Sequence, residues 1–332
     1  MTQFTSPTHY TTVTTTKHIE SLIKARAREL DLDECGIAQA GPVSEAAAAR
    51  YRQWIASGGN GCMDYAARHL DVRDNPVLLL DGARSIIVVA MNYYPARLQR
   101  EDAPQFAYYA YGRDYHEVMR DRLQRLATYI KQLVPDAETR CCVDTAPLRE
   151  RYWAVQAGVG FVGRNNALII PGKGSFFFLG AIVTTAELAP DSPCTLTCGD
   201  CGACERACPG GALKQGRPVD ATRCLSCLTI EYRGELPQWT RKALGNRVYG
   251  CDECQRVCPH NRNAAPTTVP ELQPSEAFLN LTASDIDQMD QAAFSRLFSH
   301  SAVKRTKLAG LQRNLWHILP ETFNPESALG HG

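Results

Sequence analysis

Apolar residues Ile19, Leu22, Ile23, Ala27 and Leu30 recur at helical spacing, which predicts an amphipathic first helix. A short strand is expected around Gly36-Ile-Ala, then a helix over about 44–57 that stops at Gly58-Gly59. Residues 85–91 form a continuous apolar run rich in β-branched side chains, the pattern of a central strand. A longer amphipathic pattern over roughly 115–133 places Val118, Leu123, Leu126, Ile130 and Leu133 on one side of a helix. Cys141-Cys142-Val143 reads as a short strand ending at Asp144. A helix near 150–157 follows, then a glycine turn and two strands over 167–170 and 176–184, joined by Pro171-Gly-Lys-Gly174. Strands and helices alternate, so residues 18–190 are expected to form an α/β or α+β domain. Residues 1–17, rich in threonine, read as a frayed tail and match neither a signal peptide nor a membrane span. Residues 189–193 are a polar boundary, 191–262 a cysteine-rich module, 264–274 a Pro- and Thr-rich linker, and a helical tail closes the region 263–332.

The cysteines change this picture most. Residues 198–209 read C-x2-C-x2-C-x3-C-P, the bacterial ferredoxin spacing for a four-iron, four-sulfur cluster. In that pattern three close thiolates hold one cube and the fourth cysteine, before proline, reaches the neighbouring cube. A second run, Cys251-Asp-Glu-Cys254-Gln-Arg-Val-Cys258-Pro259, is one cysteine short, and Cys224 lies between the two. Cys198, Cys201, Cys204 and Cys258 are therefore paired on one cluster, and Cys208, Cys224, Cys251 and Cys254 on the other. Zinc favours four ligands in two separated pairs, which this run does not supply. Fourteen cysteines without a secretion signal argue against disulfides and for a reducing, cytoplasmic setting. Cys35, Cys62, Cys141, Cys142, Cys194 and Cys227 remain, each by default a small buried hydrophobe, with Cys227 close enough to Cys224 to be a decoy ligand. Two clusters imply electron transfer, so the large domain should hold what receives the electrons. The net charge of +1 neither suggests nor excludes a nucleic-acid partner.

Other motifs narrow the chemistry. Gly158-Val-Gly160-Phe-Val-Gly163 matches G-x-G-x-x-G, but a helix precedes it and a strand follows, the reverse of a dinucleotide fingerprint. It is read as a tight turn. Asp114-Tyr-His116 begins the D-x-H-x-x-G segment by which some corrinoid proteins place histidine on cobalt, but Met119 stands where glycine is needed. His116 is then an ordinary residue near a helix start. Asp144 follows a buried strand and precedes Thr145-Ala-Pro147, so a loop presents it at a strand end. It is either a catalytic carboxylate, with Glu150 and Arg151 as neighbours, or a turn or N-cap residue. No acidic residue occurs between Asp290 and Glu321, whereas Arg296, Lys304, Arg305, Lys307 and Arg313 do. Such a surface suits phosphates, or is simply a solvated face.

Taken together, these residues resemble the epoxyqueuosine reductase family, cobalamin-dependent iron–sulfur enzymes that complete queuosine on tRNA. The stretches that carry the resemblance are Met91-Asn-Tyr-Tyr-Pro95, Tyr111-Gly-Arg-Asp-Tyr-His116, Val143-Asp-Thr-Ala-Pro147, residues 157–163, residues 174–180, Thr229-Ile-Glu-Tyr-Arg-Gly234 and residues 245–254. The resemblance implies an α+β fold: a nitroreductase-like cobalamin-binding domain, a two-cluster ferredoxin-like module and a short HEAT-like helical C-terminal region. It implies base-off cobalamin with no protein histidine on cobalt, in keeping with the failed D-x-H-x-x-G. Asp144 aligns with the family's proton donor. Met63, Asn92, Leu168, Ser175 and Leu179 are then expected to line the cobalamin with Asp144. Arg233, Arg247, Lys304, Arg305 and Arg313 are expected to meet tRNA phosphates. Two departures stand out: Arg149 where an apolar residue is expected, and Cys227 where an aromatic is common.

The implied reaction takes the epoxide of epoxyqueuosine to the alkene of queuosine. Epoxide oxygen leaves poorly until protonated, and a carboxylic acid that burial keeps neutral near pH 7 could supply the proton. The expected partners are tRNA and an external low-potential electron donor, and the protein is expected to be a monomer away from membranes. A reductive dehalogenase shares the cofactor set but needs no basic tail, and a simple electron carrier shares the clusters but has no use for a large N-terminal domain with a pocket.

Overall fold

The chain is described as a computed structural model covering residues 10–319, with side chains from residue 18. Helix α1 (Tyr10–Glu29) begins inside the stretch expected to be a frayed tail, so only residues 1–9 of that stretch lie outside the described residues. The periodic residues Ile23, Ala27 and Leu30 of α1 are buried. Next come β1 (Glu34–Gln39), α2 (Glu45–Ala56), α3 (Leu70–Asp74) and β2 (Ser85–Asn92), with Ser44 capping α2 through its hydroxyl. Then follow β3 (Gln105–Phe106), α4 (Tyr115–Leu133), β4 (Thr139–Cys142), α5 (Glu150–Gln156), β5 (Phe161–Val162), β6 (Leu168–Ile169) and β7 (Phe177–Thr184). The main sheet runs in the order β1-β2-β7-β4, and every neighbouring pair is antiparallel. That settles the open choice in favour of α+β. α1 and α4 cover one face through Ile23, Met119, Leu123 and Ile130, and α5 covers the other through Trp153 and Ala154.

The glycine-rich stretch is a turn. Gly158 has φ +73° and leads from α5 into the β5–β6 hairpin. A Cβ on Gly160 would lie 2.4 Å from the Ile169 carbonyl oxygen, so the hairpin closes only over glycine.

The cysteine-rich module contains α6 (Ala203–Ala207), α7 (Leu225–Ile230), α8 (Thr240–Leu244), β8 (Arg247–Tyr249) and α9 (Glu253–Arg256). β8 pairs in parallel with β3, and Ser175 ties the start of β7 to Asn261 (2.7 Å from its N–H) and Gln255 (3.1 Å to its carbonyl). Module and sheet domain are stitched together at both places.

The region after the module departs from expectation. Residues 264–274 are not a free linker: Thr267 N–H bonds the Tyr94 carbonyl at 2.7 Å, Glu271 pairs with Arg122, and Val269 and Leu272 are buried. Helices α10 (Glu276–Leu279), α11 (Ala283–Asp287), α12 (Gln291–Leu297) and α13 (Lys307–Ile318) send Phe278, Ile286, Phe294, Phe298, Leu311 and Leu315 into the same core as Ile23 and Leu123. One core therefore runs from α1 to α13, across the boundaries expected at 190 and 262. Among the described residues no helix is long and apolar enough to cross a membrane.

Candidate active site and cluster module

Asp144 stands where β4 hands over to α5. Its φ is +40°, and the Thr145 N–H closes a tight turn onto the Val143 carbonyl. A non-glycine residue held there costs on the order of 1–3 kcal/mol, so the surroundings must impose it. They do: the Asp144 N–H donates to Glu150 Oε1 at 2.8 Å. Arg149, the unexpected basic residue, anchors the far end. Its guanidinium lies 4.4 Å over the Tyr51 ring, bonds the Ala47 carbonyl at 2.9 Å and pairs with Asp74.

His116 reaches this turn from α4. Its Nε2 lies 3.1 Å from Asp144 Oδ2, and its Nδ1 lies 2.7 Å from Asp114 Oδ1. Asp114 also caps α4, accepting the His116 N–H at 3.0 Å. Tyr115 stacks on His116 and lies flat on Phe178, with centroids 4.1 and 4.2 Å apart. The reading of His116 as an ordinary helix-start residue is thus corrected. It bridges two carboxylates, one of them 28 positions away.

The charges follow from these contacts. Burial works to raise the Asp144 pKa, but the hydrogen bond and charge of His116, the Tyr115 hydroxyl and Arg151 together hold it below the usual carboxylate range. The expectation that burial keeps Asp144 neutral near pH 7 is therefore not met. Burial works against His116 charging, yet its two carboxylates win and push its pKa up to about 9. Glu150 is raised to about 8, by burial first and then by the charge of Asp144. At pH 7 the site's protons sit on His116 and Glu150.

Solvent reaches Asp144, Tyr65 and Arg151, yet desolvation is the largest influence on the pKa of each. Tyr65, Asp144 and Arg151 feel one another's charge, so these groups, reached by solvent yet crowded by neighbouring atoms, share one concave part of the surface, a cleft. Tyr65 lies beneath the Arg305 guanidinium at 5.8 Å, and Arg305 is held by both oxygens of Glu231.

In the cysteine module, α6 and α9 pack together, bringing the two runs side by side. Burial raises the Cys258 thiol, with the charges of Cys198 and Cys201 adding; Cys204 is raised by burial and by Cys198. Cys254 is raised by burial and by Cys251, Cys224 and Cys208, and Cys251 to about 12 by burial, with Cys224 adding. Members of each quartet are thus near enough to feel one another's charge, although among the described residues no three such side chains close up as they would around a single metal ion. Cys201 is exposed, at one outer edge of the module.

The other candidates fare unequally. Leu168 and Leu179 pack into one apolar layer with Trp153, whose indole Nε1 is buried without a partner among the described residues. Met63 is half-buried in the turn after Cys62. Ser175 ties the sheet domain to the cluster module, its N–H and carbonyl both bonded there. Asn92 bonds the Ala265 carbonyl and the Tyr94 N–H through its amide. Arg313 leaves the phosphate-binding set, since its donors go to the carbonyls of Tyr232, Gly234 and Leu228 and to Asn314. Arg247 is paired with Glu253, Arg305 with Glu231, and Arg233 bonds the Ile230 and Arg305 carbonyls. Lys304 is exposed and has no ion pair among the described residues.

Comparison with known proteins places this geometry. Residues 73–145 match the family described as "Epoxyqueuosine reductase QueG, DUF1730", and residues 197–261 match the 4Fe-4S double cluster binding domain. The epoxyqueuosine reductase of Cellulophaga algicola is 39% identical over 299 residues, covering 90% of this chain and 97% of its own. This chain belongs to the epoxyqueuosine reductase family. Within that family, a crystal structure of an epoxyqueuosine reductase with a tRNA-Tyr epoxyqueuosine-modified stem loop is 30% identical. It has a TM-score of 0.83 and covers 95% of this chain and 84% of its own. The Bacillus subtilis epoxyqueuosine reductase, solved with its catalytic aspartate loop swung out of the active site, is 29% identical. Its TM-score is also 0.83, with 92% and 82% covered.

Proposed function

We propose that this chain reduces epoxyqueuosine to queuosine at the wobble position of tRNA anticodons, with Asp144 as the residue that hands a proton to the epoxide oxygen. Two electrons and two protons enter and one water leaves. The observation that carries the reading is the Asp114–His116–Asp144 array, with Tyr65 close enough to feel the charge of both Asp144 and Cys227 of the cysteine module.

The residues present fit the two cofactor types of this chemistry. The quartets Cys198, Cys201, Cys204, Cys258 and Cys208, Cys224, Cys251, Cys254 would each hold one [4Fe-4S] cluster. The cleft walled by Asp144, Tyr65 and Arg151, with the orphaned Trp153 indole near Leu168 and Leu179, would hold base-off cobalamin, His116 being occupied by its carboxylates. When bound, the reduced corrin would supply a strong metal-centred nucleophile toward carbon, and the clusters would supply its electrons one at a time.

The chain's own part is proton handling. His116 Nε2 keeps a proton 3.1 Å from Asp144 Oδ2 at neutral pH. A substrate filling the cleft excludes water, which makes a charged Asp144 costlier and draws that proton onto it. Asp144 then passes it to the epoxide oxygen, with Tyr115 fixing the carboxylate. Glu150, on the same loop and largely protonated, supplies the second.

Of the five candidate basic residues, Lys304 is the one whose side chain has no ion pair or carbonyl partner among the described residues and so is left for tRNA phosphate, with Arg233, Arg247 and Arg305 shaping the surface around it. Exposed Cys201 suits electron entry from an external low-potential donor. The protein is taken to work as a monomer in the cytoplasm, a reducing compartment in which cluster-forming thiols persist. Asp144→Asn tests the reading, because the amide keeps the shape and cannot deliver the proton. Single-turnover conversion of modified tRNA should fall by about 10²–10⁴-fold with iron and corrinoid content unchanged. Full turnover in that variant would remove Asp144 from the mechanism.

A further inference from the structure

We infer that Cys62 and Cys227 form a reversible redox site, closing to a disulfide that joins the turn below the cleft to the cluster-bearing helix α7. The two Sγ atoms lie 3.4 Å apart although 165 positions separate them in sequence. Neither belongs to the quartets assigned to the clusters. The approach is built in. Trp54 Nε1 donates to the Val219 carbonyl at 2.7 Å, and the Ala221 N–H donates to the Gly59 carbonyl at 2.8 Å. A Cβ on Gly61 would come within 3.1 Å of the Thr222 nitrogen. The segment leading to Cys62 is thus pinned on the segment leading to Cys224 and α7. A disulfide needs about 2.04 Å between sulfurs, a closure that side-chain rotation on two anchored backbones can supply.

The oxidant class is a small-molecule disulfide. The half-buried Cys62, as thiolate, attacks one sulfur and releases one small thiol. The buried Cys227 then attacks the Cys62 sulfur and releases the second. Two protein thiols are oxidised, one external disulfide is reduced to two thiols, and no oxygen atom moves. An excess of dithiol runs the exchange backwards.

The bond would matter because of what flanks it. Cys62 precedes Met63 and Tyr65, and Tyr65 lies under Arg305. Arg305 is held by Glu231, whose N–H bonds the Cys227 carbonyl at 2.8 Å. Closing the sulfurs ties both walls of the cleft mouth into one covalent ring and stops them separating to admit a nucleotide.

The test uses anaerobically purified, cluster-loaded full chain incubated with glutathione disulfide, then alkylated, digested and weighed. A cross-linked pair of peptides carrying Cys62 and Cys227, lost after dithiothreitol, is the expected result, and this readout does not depend on which reaction the enzyme performs. Turnover should fall with cross-linking and recover with dithiothreitol, whereas Cys62→Ser should keep its turnover in glutathione disulfide. Both thiols recovered free at every glutathione ratio would overturn the inference. So would Cys227→Ser protein with less iron than the parent, which would make Cys227 a cluster ligand. Equal loss of turnover in Cys62→Ser would overturn the effect on the cleft.

Discussion

At His116 one imidazole meets two carboxylates, and the sign of its shift fixes a pH dependence. The folded chain holds the imidazolium more tightly than an unfolded chain with the ordinary value of 6.5, so its pKa rises to about 9. The stability this provides is complete below 6.5 and fades as pH climbs through about 9. Turnover should accordingly be level near neutrality and decline as Glu150 and then His116 lose their protons, at about 8 and about 9. His116→Gln should lower the plateau by about 10²-fold and remove the step near 9 while the decline near 8 from Glu150 remains, which a pH–rate series on single-turnover rates reads directly. The basic side chains separate in the same way. Lys304→Ala should weaken tRNA binding and reduce the slope of log affinity against log salt by about 0.7, the value for one single-strand phosphate. Arg313→Ala should instead lower the denaturation midpoint and leave that slope alone, because its donors hold main-chain carbonyls.

Among the elements, Gly160 makes the sharpest claim. Its Cβ position is 2.4 Å from the Ile169 oxygen, so Gly160→Ala should destabilise the fold by about 1–3 kcal/mol, seen as a lower urea midpoint with unchanged slope. A dinucleotide-binding glycine would instead affect ligand affinity. The elements themselves were largely legible: α4 spans the stretch its apolar stripe marks, and β2 and β7 are the two runs rich in β-branched and aromatic residues. Their partners were not, because β2 pairs with β7 some ninety residues on, and periodicity carries no address for such contacts. The site followed the same division. Asp144 stood out as a carboxylate at a strand end, whereas His116 was set aside by a test for a cobalt ligand that asked nothing about a partner from another element. Arg313 looked like a free cation because a run of basic residues says nothing of the carbonyls that face it.

At the scale of the whole molecule, the largest core runs from α1 to α13 and takes in part of the cysteine module. Ending the chain at residue 262 would strip Val269, Phe278, Phe294, Phe298 and Leu311 from that core. Such a truncation should be recovered as insoluble or unfolded protein rather than as a working reductase lacking RNA affinity, and circular dichroism with gel filtration would distinguish the two. A module that merely hung from a linker would survive the cut.

The position of α13 also sets a timetable. Leu311 and Leu315 are wanted in the interior alongside Ile23, so a nascent chain has every cysteine of both quartets outside the ribosome before the body that shelters them can shut. Iron, sulfide and corrinoid can therefore meet the quartets while the body is still open, in the interval before α13 docks.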